Sequence, residues 1–178
     1  MASTDNQHRQ NYAAKIASRL SLIPFLKMPT VADARLNRHA WYAFVMQFEP
    51  EKAPQGLSRE DFDQRLEKRG LKEVDIPRST GLLNEMPLFT HFHEAIPRFG
   101  SESWHDKQPT EDFPVANKFF QQSIKLPIWT TEKDKLIVEH YIQTFLDVAE
   151  EVISDRLLDT REESQFSEVK HRQIQARL

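Results

Sequence analysis

The stretch Phe113–Trp129 limits the folds open to this 178-residue chain more than any other. It opens with Phe-Pro, and proline suits the first turn of a helix, where its missing N–H has no intrahelical bond to lose. Val115 and Phe119 follow at helical spacing and are expected to face inward, with Ile124 behind them. Lys125–Trp129 then reads as a short strand, held to an edge or an end by Pro127, which cannot donate to a ladder. A second helical pattern follows at once. Thr130 or Thr131 caps it, and Glu132 and Asp134 sit near its positive end. Val138, Tyr141, Ile142, Phe145, Ala149 and Val152 recur along one face. A helix feeding a short strand and then a long amphipathic helix needs a sheet to join and other helices to pack against.

The upstream chain supplies both. Tyr12, Ile16 and Leu20 fall at i, i+4 and i+8, which predicts a helix from about Gln7 to Leu22, stopped by Pro24. Leu22–Pro29 reads as a linker carrying Ile23, Phe25 and Leu26. His39–Phe48 is the best strand: Trp41, Tyr42, Phe44, Val45 and Phe48 are aromatic or β-branched. Its apolar residues fall on both faces, as in a strand covered on both sides. Ser58–Arg69 reads as a short helix with Ser58 and Asp61 in a capping box, Phe62 and Leu66 inward, and Gly70 at the left-handed stop. Leu71–Ile76 is a further strand candidate. Together these elements predict an α+β fold: a small antiparallel or mixed sheet of about three strands, packed by helices and closed by a long C-terminal helix. The domain is expected over residues 10–153. Residues 1–9 are expected to form a disordered N-terminus, and 154–178 a charged helical extension or disordered tail.

Bulk properties exclude several functions. Net charge is −3, so no basic field argues for nucleic acid. No apolar run is long enough to cross a membrane, and Met1–Gln10 lacks the apolar core of a secretory signal, so a cytoplasmic location is expected. Cysteine is absent, which removes disulfides, thiolate catalysis and thiolate-bound zinc. With only 4 glycines, neither GxGxxG nor GxxxxGK[ST] occurs.

Residues 77–110 are the least regular part, with Pro77, Pro87, Pro97 and Pro109 among the chain's 10 prolines. They also carry Leu82, Leu83, Met86, Leu88, Phe89, Phe92, Ile96, Phe99 and Trp104, too many apolar side chains for a solvated linker. Arg78, Ser79, Thr80, Gly81 and Asn84 bring a cation, two hydroxyls, a permissive glycine and an amide to its start. That set suits a carboxylate, a phosphate or a sugar hydroxyl, and an ordinary turn with Arg78 in solvent is the plain alternative. Arg78, Ser79, Thr80, Asn84 and Phe89 are the candidate substrate-binding residues. His91 and His93, with Glu94, alternate as two ligands on a strand would, but no third partner beyond an arbitrary His105 is spaced to complete a metal site, so none is expected. Glu60, Asp61 and Asp63 read as helix N-terminal charges, and Asp147, Glu150 and Glu151 as the wet face of the last helix. Ser79, Thr80 and Ser123 have no base at a recognisable spacing, and GxSxG is absent. Trp41, Trp104 and Trp129 read as core or interface residues, since no basic stripe accompanies them.

Phe113-Pro114-Val115-Ala116, followed by Leu126-Pro127-Ile128-Trp129-Thr130-Thr131-Glu132, resembles the end of the DegT/DnrJ/StrS family of sugar and cyclitol aminotransferases. That family's C-terminal region has a Phe-Pro-x-Ala helix, a Leu-Pro strand and a closing helix after an acidic cap. The Tyr12 helix, the His39–Phe48 strand and the Ser58–Gly70 helix fit the same order. Leu82-Leu83-Asn84 with Pro87 lies where the family has Pro-Leu-His near the substrate, with Asn84 in the histidine's place. The resemblance covers roughly residues 10–153 and implies the small domain of a fold-type-I enzyme that uses pyridoxal phosphate. The large domain, with its Schiff-base lysine, has no counterpart here, and the catalytic residues of this chain are unknown. The resemblance therefore implies the small subunit of a split aminotransferase acting on a keto sugar or cyclitol-like substrate, with pyridoxal phosphate supplied by a partner large subunit and not bound by this chain alone. The alternative is a detached small domain that serves as a cofactor-free biosynthetic enzyme or a binding protein, with self-association in place of a partner.

Overall fold

The computed structural model describes residues 4–31, 39–74, 81–86 and 113–175, the last helix by its backbone alone beyond Arg156. Helix α1 spans Thr4–Leu20, strand β1 Leu26–Lys27 and strand β2 Phe44–Phe48. Helix α2 is Arg59–Lys68, and a 3-10 turn occupies Leu83–Glu85. Helix α3, Pro114–Gln122, runs straight into strand β3, Ser123–Leu126, and helix α4 covers Lys135–Gln175 after a 3-10 turn at Glu132–Asp134. The three strands form one antiparallel sheet in the order β1-β2-β3. The fold is α+β, as the sequence predicts.

Register explains which side chains are buried. Leu26 sits opposite Phe48, Met46 opposite Ile124, and Phe44 opposite Leu126. Phe44, Met46 and Phe48 alternate along β2, so one face of the sheet is a continuous apolar surface. Against it lie Tyr12, Ala13, Ile16 and Leu20 of α1, Phe62 and Leu66 of α2, and Val138, Tyr141, Ile142, Phe145, Val148, Ala149 and Val152 of α4. Phe62 is the hub. Its ring lies 5.3 Å from Phe25, 6.4 Å from Phe48 and 5.8 Å from Phe145, edge-on to Phe25 and Phe145, the geometry aromatic quadrupoles favour.

Helix ends are satisfied as the sequence implies. Ser58 Oγ accepts from Asp61 N at 3.0 Å, and the Asp61 carboxylate accepts from Ser58 N at 3.3 Å. At the other end of α2, Gly70 adopts φ +97°, Leu71 N donates to Leu66 O and Gly70 N donates to Glu67 O, a Schellman closure. The Asp134 carboxylate accepts from Thr130 N at 3.0 Å and Thr131 N at 2.9 Å before α4. Ion pairs tie the helices together: Lys15 with Glu139, Arg65 with Glu151 at 2.8 Å and Asp155 at 3.1 Å, and Arg69 with Glu151. Glu151 thus bonds across to α2 rather than standing on a merely wet face.

Several boundaries differ from the sequence expectation. Helix α1 starts at Thr4, inside the 1–9 stretch. Leu26–Lys27, read as linker, pairs with β2 as a short edge strand. Strand β2 starts only at Phe44, because Trp41 takes φ +47° and breaks the extended run. Strand β3 begins at Ser123, before Pro127 rather than across it. Leu71–Val74 is not a strand, and Ile76 lies outside the described residues. Among the described residues no helix is long and apolar enough to cross a membrane.

Two outcomes follow. Phe62→Ala should lower the unfolding free energy by about 3–5 kcal/mol, read from urea melts, since it empties the one site shared by β1's approach, β2 and α4. Backbone N–H bonds hold the Asp134 carboxyl below the ordinary value of 3.8, and its side-chain and backbone bonds to Ser58 do the same for Asp61. A depressed folded pKa means stability present above the ordinary aspartate value and lost as pH falls through the lower, folded one. Asp134→Asn should therefore flatten the acid-side loss of stability below about pH 4, measured as thermal midpoint against pH.

Candidate functional site

The second face of the sheet is where function can be sought. Val45 and Lys125 are register partners and point away from the core. They form the floor of a groove of about 870 Å³. Helix α3 makes one wall with Val115, Ala116, Phe119 and Phe120; Gly81, Leu82 and Leu83 make the other; and Tyr42 stands at the rim. A volume of this order matches a small-molecule site.

Three features of sequence build this place. Trp41 turns the chain in the left-handed region, costly for a bulky residue, and its ring is held by Gln10 Oε1, which accepts from Nε1 at 3.3 Å, and by stacking on Phe44 at 5.4 Å. The residue after that turn, Tyr42, is 98% exposed. Helix α3 then presents its apolar stripe outward: Val115 is 82% exposed and Phe119 49%. This overturns the expectation that both face inward. The sheet's inner face is already filled by α1, α2 and α4, so α3 lies on the opposite side and none of its residues is fully buried. Strand β2 is the central strand, and among the described residues α3 stands along its outer face with Val45 half-buried between them.

A buried cation fixes α3. Arg59 is 8% exposed, and its Nη1 donates to Phe120 O at 2.7 Å and Ser123 O at 3.3 Å. Glu60 faces its Nε at 3.2 Å. Arg59 precedes Phe62 by three residues and Leu66 by seven, so it lies on the buried face of α2; that spacing is the signal that apolar periodicity alone passes over.

Of the predicted binding residues, Arg78, Ser79, Thr80 and Phe89 lie outside the described residues, as do His91, His93, Glu94 and His105. Asn84 is placed by its backbone in the Leu83–Glu85 turn, next to the groove wall. Trp104 also lies outside the described residues, whereas Trp129 is buried against Tyr141 at 5.0 Å. Among the described residues no group of three or more His, Asp or Glu side chains could hold a metal. A second hollow of about 400 Å³ lies between Pro54–Leu57, α2 and α4. Its arginines are engaged: Arg65 with Glu151 and Asp155, and Arg156 with Gln55 Oε1.

No family model matches the chain, and no curated protein matches it in sequence. Its fold is similar to the X-ray structure of the aminotransferase from Psychrobacter cryohalolentis, with a TM-score of 0.61 at 16% identity. The match covers 83% of this chain and 35% of that one. This is an aminotransferase-like fold. The chain spans about a third of the length of the enzyme it matches, and the likeness is one of architecture.

Lys125 is the only charged residue in the groove lining among the described residues. Because Val115 is exposed in the groove wall, Val115→Ser should leave stability within about 0.5 kcal/mol and lower the binding of a hydrophobic fluorescent dye, measured by titration.

Proposed function

We propose that this chain is the small-domain component of a DegT/DnrJ/StrS-like aminotransferase whose cofactor-bearing large domain is a separate chain. The observation that carries this is a fold shared with about a third of an aminotransferase, joined to an apolar groove that the described residues leave uncovered. Exposed apolar surface walled by Tyr42, Leu83, Val115 and Phe119 is costly in water and suits a second chain.

In this reading the chain contributes substrate binding, not the electron sink. Arg78 offers a forked, permanently charged donor for a carboxylate or phosphate. Ser79 and Thr80 offer hydroxyls, Asn84 an amide that both donates and accepts, and Phe89 an apolar face for a sugar ring. The reaction class is transfer of an amino group to a keto sugar or cyclitol-like substrate, with pyridoxal phosphate held by the partner. No proton transfer is assigned to this chain's side chains.

A direct test mixes the chain with a lysine-bearing large domain that lacks a small domain of its own, then follows absorbance of the bound cofactor and product formation. Activity is expected only in the mixture. Arg78→Ala and Asn84→Ala should each reduce activity of the mixture by about tenfold or more, as expected for loss of a charged or buried hydrogen bond, while circular dichroism stays unchanged. Conversion of a substrate by the purified chain alone rejects a split enzyme and favours a cofactor-free one. Unchanged activity in both variants rejects the site.

A further inference from the structure

The floor of the groove sets one charge among apolar side chains. Val45 of β2 and Lys125 of β3 stand directly opposite each other in the antiparallel register. Opposed side chains on one face lie about 5 Å apart at their Cβ atoms, so the stem of Lys125 runs beside Val45. Their strand neighbours Phe44 and Leu126 are buried on the inner face, and alternation sends Val45 and Lys125 to the outer one. Leu82, Val115, Phe119 and Phe120 complete the apolar surroundings.

A lysine on an outer strand has a plain use, which is to discourage pairing with another strand. That use needs no cavity. Here the side chain is half-buried and lines a groove of about 870 Å³, walled by α3 on one side and Gly81–Leu83 on the other. An occupant has to cover apolar surface and meet the ammonium with a negative charge, because a charge closed off from water without a counter-charge is costly. One lysine balances one charge. A dianion such as a phosphate monoester leaves its second charge facing apolar walls. From Val45 to Tyr42 at the rim the floor runs roughly 10 Å, three residues of extended chain, which suits a short aliphatic chain or a fused ring pair.

We infer that the groove binds a small amphipathic monocarboxylate, with the carboxylate on Lys125 Nζ and the apolar body between Val45 and the Val115–Phe119 stripe of α3. This goes beyond the split-enzyme reading, which concerns what covers the mouth of the groove. The floor site belongs to this chain alone, and its test needs no partner.

Titration of the full chain with octanoate, followed by backbone amide shifts, tests it. Octanamide has the same length without the charge, and octyl phosphate adds a second charge. Octanoate should bind saturably, with its largest shifts at Val45, Val115, Phe119 and Lys125, and about tenfold more tightly than octanamide. Lys125→Met keeps the apolar stem and should bring the two ligands to within about twofold of each other, with the thermal midpoint unchanged; Lys125→Gln serves if that variant does not fold. Val115→Ser trims the wall and not the charge, so it should weaken both ligands by a similar factor. Absence of saturable octanoate binding, or shifts centred away from the groove, overturns the site. Equal affinity for acid and amide in the wild-type chain, or a preference that survives loss of the lysine, overturns the role of Lys125. Octyl phosphate bound more tightly than octanoate overturns the assignment to a monocarboxylate.

Discussion

The packing of Phe62 is the constraint on which the rest of the structure depends. Its ring touches the segment leading into β1, the end of β2 and the middle of α4, elements separated by long stretches of chain. A sheet of three short strands cannot stand alone in water, because it hides too little apolar surface. Here the missing burial comes from α2, which is only ten residues long and is itself marginal as an isolated helix. Each supports the other through one side chain. The capping box at Ser58 and the closure at Gly70 keep α2 at the length that brings Phe62 and Leu66 to the sheet. The ion pairs of Arg65 and Arg69 with Glu151 lie on the solvent side of that contact and add orientation more than stability.

Filling one face of the sheet so thoroughly determines the character of the other. With α1, α2 and α4 all packed on the inner face, the outer face receives, among the described residues, α3, a nine-residue helix, and the Gly81–Leu83 segment. The described residues thus fall into two unequal parts: a dense one that carries stability and a more open one that offers a groove. In enzymes, binding surfaces placed on rigid elements gain precision from the scaffold behind them, and the groove floor has such a scaffold.

Sequence patterns reveal the dense half well and the open half poorly. Tyr12, Ile16 and Leu20 on α1, Phe62 and Leu66 on α2, and the Val138–Val152 face of α4 are all buried where periodicity places them, because a 3.6-residue stripe has one physical use when a core is available. The Val115 and Phe119 stripe has the same period and the opposite fate. Periodicity reports that a face is apolar, and only the count of faces competing for the core decides which is left outside. Composition predicts a strand from His39 because aromatic residues at 41 and 42 suit a strand, while Trp41, at φ +47°, is held by contacts with Gln10 and Phe44. Lysine and arginine are ordinarily read as solvent-facing, which hid Arg59. The binding residues Arg78, Ser79, Thr80 and Phe89 rest on composition and resemblance and lie outside the described residues; Asn84 is described by its backbone, in the turn beside the groove.

The left-handed turn at Trp41 has a consequence for how this chain is kept. A glycine would adopt φ +47° without strain, whereas a bulky L-residue gives up roughly 1–2 kcal/mol there. The tryptophan persists in a conformation that a smaller residue would occupy more comfortably, so its ring must return more than the backbone loses. That return is a tether: the indole fastens the entrance of β2 to α1 through Gln10 and to the sheet through Phe44. Position 41 is thus a toggle between two designs, a relaxed loop with glycine and a braced rim with tryptophan, and this chain has taken the braced one beside its open groove.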